Sequence, residues 1–195
     1  MLNNKGAMFG LDARIALAIF GTLSIITGAA LHSAIQDARV VSAVTSLKEI
    51  AKAYDSYLLD TGREVSLASG SHYNIVDLVE KPSGVAIWRG PYISYAKNAS
   101  TTLRLIDTSG MGNNFLMRCA QESDWNPNIW MGDCSSAHKP CAVWIEVEGI
   151  WTKSPGLAEK IDEYIDGSVD FATGDVRGKI GSNLMMKITR SQIQP

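Results

Sequence analysis

The sequence predicts an α+β protein in which a long N-terminal helix, hydrophobic in its first half, packs on a small antiparallel sheet. Three patterns predict it. The stretch from Ile15 to Ile35 contains no Asp, Glu, Lys or Arg. Apolar residues then recur at alternating spacings of three and four, which is typical of an amphipathic helix. From Thr101 the alternation changes to a period of two, which is typical of strands.

The composition places the chain among folded proteins with one domain, or with one domain and an appendage. Of its 195 residues, 46% are hydrophobic and 19% are charged, so the chain is too apolar to be disordered. The net charge of -2 and a pI near 5.9 exclude the basic footprint of a nucleic-acid-binding protein. The low charged fraction indicates that apolar residues are pooled, and Ile15 to Ile35 is that pool.

The apolar run is long enough to cross a membrane, because a spanning helix needs about 20 residues. It exceeds the usual core of a secretory signal, and no small-residue cleavage site follows it. We therefore expect the run to stay with the mature protein.

The helix is expected to continue well beyond the apolar run. No proline occurs between Met8 and Gly62, and Gly62 can adopt the left-handed conformation that ends a helix. The predicted helix has about 50 residues and a length of roughly 80 Å. Its second half has one apolar face, formed by Val40, Val44, Leu47, Ala51, Tyr54 and Leu58.

The rest of the chain is predicted to form strands and two short helices. The strand candidates are Thr102 to Ile106, Phe115 to Ala120 and Ala142 to Val147, separated by turn-rich segments. The helical candidates are Asn74 to Val79 and Leu157 to Ile165. Antiparallel strands joined in this way would pack one face on the amphipathic half of the long helix.

The segment from Met8 to Gly21, MFGLDARIALAIFG, resembles the N-terminus of type IV pilins and of the pseudopilins of type II secretion. In that family, a short polar leader is cut before a hydrophobic helix whose fifth residue is acidic. Aligning Gly21 with the family's helix glycine implies that Met8 is the mature N-terminus and Asp12 the acidic residue. Ala7 stands where the family usually has glycine, so cleavage after Gly6 or Gly10 is an alternative, although either would move Asp12 out of register.

Two further segments resemble major pseudopilins. Leu78 to Pro82 (LVEKP) with Trp88 to Tyr92 (WRGPY) is similar to their variable loop, and Asp166 to Gly178 is similar to pilin-like tails. We expect Trp88 and Tyr92 to cover the long helix. The resemblance implies a pilin fold with a prepilin leader at 1–7, a transmembrane and filament-core helix at 8–36, its amphipathic continuation at 37–61 and a globular domain at 62–195.

The resemblance implies a structural subunit of a type II secretion pseudopilus. Such a subunit is trimmed and N-methylated by prepilin peptidase and anchored in the bacterial inner membrane by a single span, with its globular domain in the periplasm. An inner-membrane assembly platform and minor pseudopilins then help to build it into a homopolymeric helical filament, which is periplasmic or extracellular. The alternative is a type IV pilus subunit or minor pilin with a role in adhesion or DNA uptake, the Gln121 to Pro140 loop being the binding element.

Asp12 is the informative residue of the apolar helix, because a carboxylate in hydrocarbon costs about 2.5–3.5 kcal/mol. In the family its partner is the N-terminal amine of the neighbouring subunit, which selects the register of assembly. Alternatively, Asp12 and Arg14 are interfacial charges that flank a span beginning at Ile15. Gly21 and Gly28 either allow close helix packing or mark a stretch that unwinds in the filament.

The three cysteines favour one disulfide in an oxidising compartment. Cys134 with Cys141 is preferred, and Cys119 with Cys141 across adjacent strands is the alternative. A Cys3His zinc site with His138 is a further possibility, which the irregular spacing and the compartment disfavour.

Cofactors are not required by the sequence, but calcium is a candidate. Asp166, Asp170 and Asp175 could hold Ca²⁺, a hard ion that takes oxygen ligands, although such turns are usually just solvated. No catalytic residues are predicted, because His32, His72 and His138 lie outside any nucleophile motif. The remaining classes are a membrane-anchored hydrolase and an anchored binding domain that never polymerises.

Overall fold

The computed structural model describes residues 5–128, 132, 134 and 140–194, except for the side chains of residues 5–9 and 69. The chain divides into two compact units, Met1–Val41 and Ser42–Pro195. A long N-terminal helix is followed by an antiparallel sheet, so the predicted α+β fold class is confirmed. The boundary between the units lies inside the helix, at Ser42, rather than at its end.

Helix α1 spans Lys5–Thr61 without interruption. It ends where the sequence predicts, at Gly62, which adopts a φ of 69°. The backbone N–H of Gly62 donates to the carbonyl of Leu58 at 2.9 Å and closes the last turn. A glycine suits this position because a side chain with a Cβ is strained at positive φ.

The part of α1 that belongs to the Ser42–Pro195 unit buries one face in the core. The prediction for this face is partly wrong, because Ala51 and Leu58 are only half-buried. The side chains that replace them are Ile50, Ala53 and Tyr57, each no more than 2% exposed. The buried face is thus rotated slightly from the predicted one.

All the strands pair antiparallel. The spatial order is β1-β2-β4-β5-β7-β6, and β3 pairs with β4. The predicted strands correspond to β3, β4 and β5, although β3 is much shorter than predicted. The bounds are β1 Leu67–Ser69, β2 His72–Tyr73, β3 Leu105–Ile106, β4 Asn114–Gln121, β5 Cys141–Glu148, β6 Val176–Gly178 and β7 Leu184–Arg190.

Short helices connect the strands. A 3-10 helix covers Ile75–Leu78, inside the predicted helical segment, and α2 covers Ile150–Lys153. Helix α3 covers Leu157–Asp166, one residue longer than predicted. Strands β6 and β7 follow α3 and have no counterpart in the prediction.

The WRGPY segment covers the end of α1, as expected. The ring of Tyr92 packs edge-on against Tyr57 of α1 at 5.8 Å between centroids and against Trp88 at 5.6 Å. The hydroxyl of Tyr92 donates to Asp60 at 3.0 Å. A Cβ on Gly90 would lie 2.5 Å from the Trp88 ring, so this packing requires glycine.

Candidate functional sites: apolar helix, cysteine cluster and acidic loop

The first candidate site is the surface of α1 before Val41. Large apolar side chains point outward on all its sides, among them Leu17, Phe20 and Ile25, which are 70%, 71% and 74% exposed. Its most apolar 18-residue window has a mean hydropathy of 1.8 and is 0% buried. A helix that is apolar all round is characteristic of a membrane span. This helix is long and apolar enough to be a membrane anchor.

The predicted assembly residues lie on this helix. Asp12 is exposed, and Arg14 is exposed two residues later. Gly21 and Gly28 are helical, and a Cβ added to either would have no atom within 4 Å. Ala7 and Met8 belong to the first turns of α1. The unwinding of this stretch is not seen in this structure, since α1 is continuous through both glycines.

Two threonine hydroxyls near the glycines form hydrogen bonds within the helix. Thr22 donates to the carbonyl of Ala18 at 3.1 Å, and Thr27 donates to that of Leu23 at 2.8 Å. These side chains therefore add little polarity to the apolar surface.

The second candidate site is a cluster of three cysteines. Cys134 and Cys141 form a disulfide, which is the pairing that the sequence favours. Cys119 is a free, buried thiol, and the three Sγ atoms all lie within 4.8 Å of one another. His138 lies outside the described residues. The Cys3His zinc site is not formed in this structure, because two of its four predicted ligands share a covalent bond.

A buried carboxylate lies beside this cluster, and sequence reasoning missed it. Oε2 of Glu64 accepts hydrogen bonds from the hydroxyls of Tyr73 and Ser191, both at 3.0 Å. Its Oε1 accepts one from the backbone N–H of Gln192 at 2.6 Å. The Sγ of Cys119 lies 3.7 Å from the Ser191 hydroxyl. Glu64 thereby joins the end of α1, strand β2 and the C-terminal segment.

Burial keeps the neighbours of Glu64 neutral. Removal from solvent raises the pKa of the Cys119 thiol and that of the Tyr73 hydroxyl. Both groups lie close to the carboxylate, and its charge raises the same pKa values further. The sequence offered no signal for Glu64, since a single acid after a helix is usually solvated.

The third candidate site is the loop after α3, where calcium is predicted. Oδ2 of Asp166 accepts the backbone N–H of Val176 at 2.8 Å. Asp170 accepts from the Ala172 N–H and the Thr173 hydroxyl, which lowers the pKa of its carboxyl. Asp175 forms an ion pair of 2.5 Å with Lys187 on β7. The three predicted ligands are therefore separated: the carboxylates of Asp166 and Asp170 accept hydrogen bonds within the loop, whereas that of Asp175 pairs with Lys187.

The carboxylate of Asp162, which the sequence analysis did not single out, lies beside Asp166 and Asp170. It is 0% exposed, and its Oδ2 accepts the backbone N–H of Asp170 at 2.8 Å. Its Oδ1 is buried and has no hydrogen-bond partner. Burial, reinforced by the charges of Asp166 and Asp170, raises the pKa of Asp162 to about 6. Helical spacing could have found it, because Asp162 follows Ala158 by four residues on the buried face of α3.

The oxygen chemistry of this loop suits a hard cation, because Asp162 Oδ1 is unpartnered and Asp166 is adjacent. Calcium binding stays a prediction, and Asp162 and Asp166 are the residues that would bind the ion.

Comparison of the chain with protein-family models, with curated proteins and with solved structures finds no match. The function of the chain is therefore inferred from its own residues and their geometry.

Proposed function

We propose that this chain is a structural filament subunit of the type IV pilin-like kind, most similar to the major pseudopilin of type II secretion. The observation that carries the proposal is the difference between the two parts of helix α1. One continuous helix has a first part that is apolar on all sides and a second part that belongs to the core of a folded α+β unit.

The exposed apolar surface of α1 needs a non-aqueous environment. A lipid bilayer supplies it for the single chain, and the same helices of other copies supply it in a filament. Lipid and protein are similarly apolar, so transfer between them depends on side-chain packing rather than on the hydrophobic effect. The open space around Gly21 and Gly28 is consistent with close approach of such helices.

Asp12 would provide the selectivity of assembly. An exposed carboxylate near the start of an apolar helix gains most from a cationic partner at the same depth, and the amine of a cleaved neighbouring chain is such a partner. The proposal therefore includes cleavage between Ala7 and Met8 by prepilin peptidase, N-methylation and residence in the inner membrane. It also includes assembly by a membrane platform together with minor pseudopilins.

Substitution of Asp12 tests the proposal. We expect Asp12→Ala to insert into the membrane as the wild type does and to be absent from sheared filaments, because the neighbouring amine loses its partner. Asp37→Ala is the matched control, since Asp37 is an exposed acid of the same helix beyond the apolar run, and we expect it to assemble. Immunoblots of membrane and filament fractions measure both, and normal assembly of Asp12→Ala would contradict the charge pair.

The mass of the mature N-terminus separates the filament subunit from an anchored domain that never polymerises. A chain that begins at N-methylated Met8 supports the filament subunit. An uncut chain at the end of expression in a host with active prepilin peptidase supports the anchored domain.

A further inference from the structure

The free thiol of Cys119 lies beside a disulfide in the core. All three Sγ atoms are within 4.8 Å of one another, and Cys134 is bonded to Cys141. Cys119 on β4 faces Val143 on β5, and Cys141 faces Gln121. Cys119 and Cys141 are therefore diagonal neighbours on the same face of the sheet.

We propose that Cys119 exchanges with the Cys134–Cys141 disulfide, which makes Cys134 a latent modification site for thiol-reactive electrophiles. The Cys119 thiol loses its proton, and its sulfur attacks Sγ of Cys141. A Cys119–Cys141 bond forms as the Cys134–Cys141 bond breaks. The electron pair leaves with the sulfur of Cys134, which takes up one proton, so no oxidant or reductant is consumed.

The burial of the three cysteines decides which sulfur leaves. Cys119 and Cys141 are 1% and 0% exposed, whereas Cys134 is only half-buried. A thiolate is better hydrated at Cys134, so attack on Cys141 with departure of Cys134 is favoured over the reverse. The Sγ of Cys134 also lies 3.5 Å from the carbonyl oxygen of Ile193, which can accept a hydrogen bond from the released thiol.

The exchange is slow, and its product is a minor state. Burial raises the pKa of Cys119, so little thiolate is present to attack. Diagonal partners across antiparallel strands have Cα atoms about 7–8 Å apart, and a disulfide usually requires less than about 7 Å. The two strands must therefore shift when the second bond closes. An electrophile that reacts with Cys134 removes the released thiol and traps the exchanged form.

The test is alkylation of the oxidised full-length chain in detergent micelles with iodoacetamide, without reductant or denaturant. Digestion without reduction follows, and cleavage before Asp124, Asp133 and Lys139 places the three cysteines on separate peptides. We expect carbamidomethylated Cys134 and a Cys119–Cys141 cross-linked peptide in equal amounts. Label on Cys119 with Cys134–Cys141 intact would overturn the proposal. So would the absence of label over a period that fully labels the denatured chain.

Cys119→Ser is the matched variant, because it keeps the size of the side chain and removes the attacking sulfur. We expect it to abolish labelling of Cys134, and equal labelling would overturn the proposal. Cys119→Ala replaces it if the serine variant does not fold, and the wild-type peptide map decides on its own if neither does. The labelling rate per chain must not depend on protein concentration, since a dependence would assign the exchange to collisions between copies.

Discussion

At the scale of single residues, the side chain of Arg177 links several parts of the core near the C-terminus. Its guanidinium donates to the carbonyl of Gly174 at 2.9 Å and to that of Ser123 at 2.6 Å. The same group lies over the rings of Trp144 and Trp125, at 5.1 and 5.6 Å from their centroids. One 5% exposed side chain thus holds two loops and an aromatic pair together.

Arg177→Ala is expected to lower the free energy of unfolding by about 2–4 kcal/mol, because two charge-assisted hydrogen bonds and a cation–π contact are lost. Arg177→Lys should lie between this variant and the wild type, since an ammonium cannot reproduce the planar fork. Denaturation in urea measures both. Arg190→Ala is the control, because its ion pair with Glu122 is solvent-exposed and worth less than about 1 kcal/mol. An equal loss in both alanine variants would contradict the role given to Arg177.

Asp162 is predicted to make stability depend on pH. Its folded-state pKa of about 6 lies above the unfolded value near 3.9, so the folded protein binds this proton more tightly. The stabilisation is complete below about pH 4, is lost as the pH rises through about 6 and amounts to at most about 3 kcal/mol. Asp162→Asn, which is neutral at every pH, should be more stable than the wild type at pH 7 and should lack this increment. Urea denaturation at about pH 5 and 7 measures it.

The comparison of Asp162→Asn with the wild type isolates this group, since the carboxyls of Glu148 and Asp170, whose pKa values are lowered, titrate in both chains. A calcium titration of both proteins adds a second readout. Calcium should raise the thermal stability of the wild type and not that of Asp162→Asn. Identical pH profiles in the two proteins would contradict the assignment of the proton to Asp162.

At the scale of elements, the hairpin of β6 and β7 shows why the sequence pattern predicts no strands at the end of the chain. Strand β6 has three residues, and β7 includes Met185, Met186 and Lys187, which lack the alternation of β-branched residues typical of strands. The strands exist because β7 pairs with the central strand β5 along most of its length. Long-range pairing of this kind leaves little trace in a local pattern.

Gly178 tests the packing of this hairpin. A Cβ at this position would lie 2.7 Å from the carbonyl oxygen of Asn183 and 3.1 Å from the ring of Trp151. We expect Gly178→Ala to cost about 1–3 kcal/mol of unfolding free energy, because backbone must move to admit the methyl group. Ile180→Ala is the control in the same hairpin, since Ile180 is 54% exposed, and it should change stability by less than about 0.5 kcal/mol. Equal stability of Gly178→Ala and the wild type would contradict this packing.

For the whole molecule, the division at Ser42 predicts where the chain can be truncated and still fold. Most of the large exposed apolar side chains of α1 lie between Leu11 and Ile35, whereas the core lies almost entirely in the Ser42–Pro195 unit. A chain of residues 36–195 is expected to fold with the Cys134–Cys141 disulfide and to stay in solution without detergent. The full chain should require detergent or lipid.

Size-exclusion chromatography and circular dichroism of the two chains measure this outcome. The control is the shortened chain after reduction, which should lose about 2–3 kcal/mol of stability, since the disulfide closes a short loop. Aggregation of the oxidised shortened chain would show that the core needs residues before Gln36.

The sequence alone determined the features that depend on local order along the chain. The uncharged run at Ile15 to Ile35, the glycine stop at Gly62 and the period-two strands around Phe115 and Val143 are signals carried by neighbouring residues, and each of these elements is present. The resemblance to pilins rests on the same local order, in the segment from Met8 to Gly21.

The tertiary structure decided what lies side by side. It selected Cys134–Cys141 over Cys119–Cys141 and placed Cys119 against that bond. It also placed Asp162 of α3 beside Asp170, paired Asp175 with Lys187 and buried Glu64 against the C-terminal segment. The physical reason is that burial, pKa and hydrogen bonding depend on neighbours from distant parts of the chain. Periodicity specifies which face of an element is buried, but it does not specify which residue of another element covers that face.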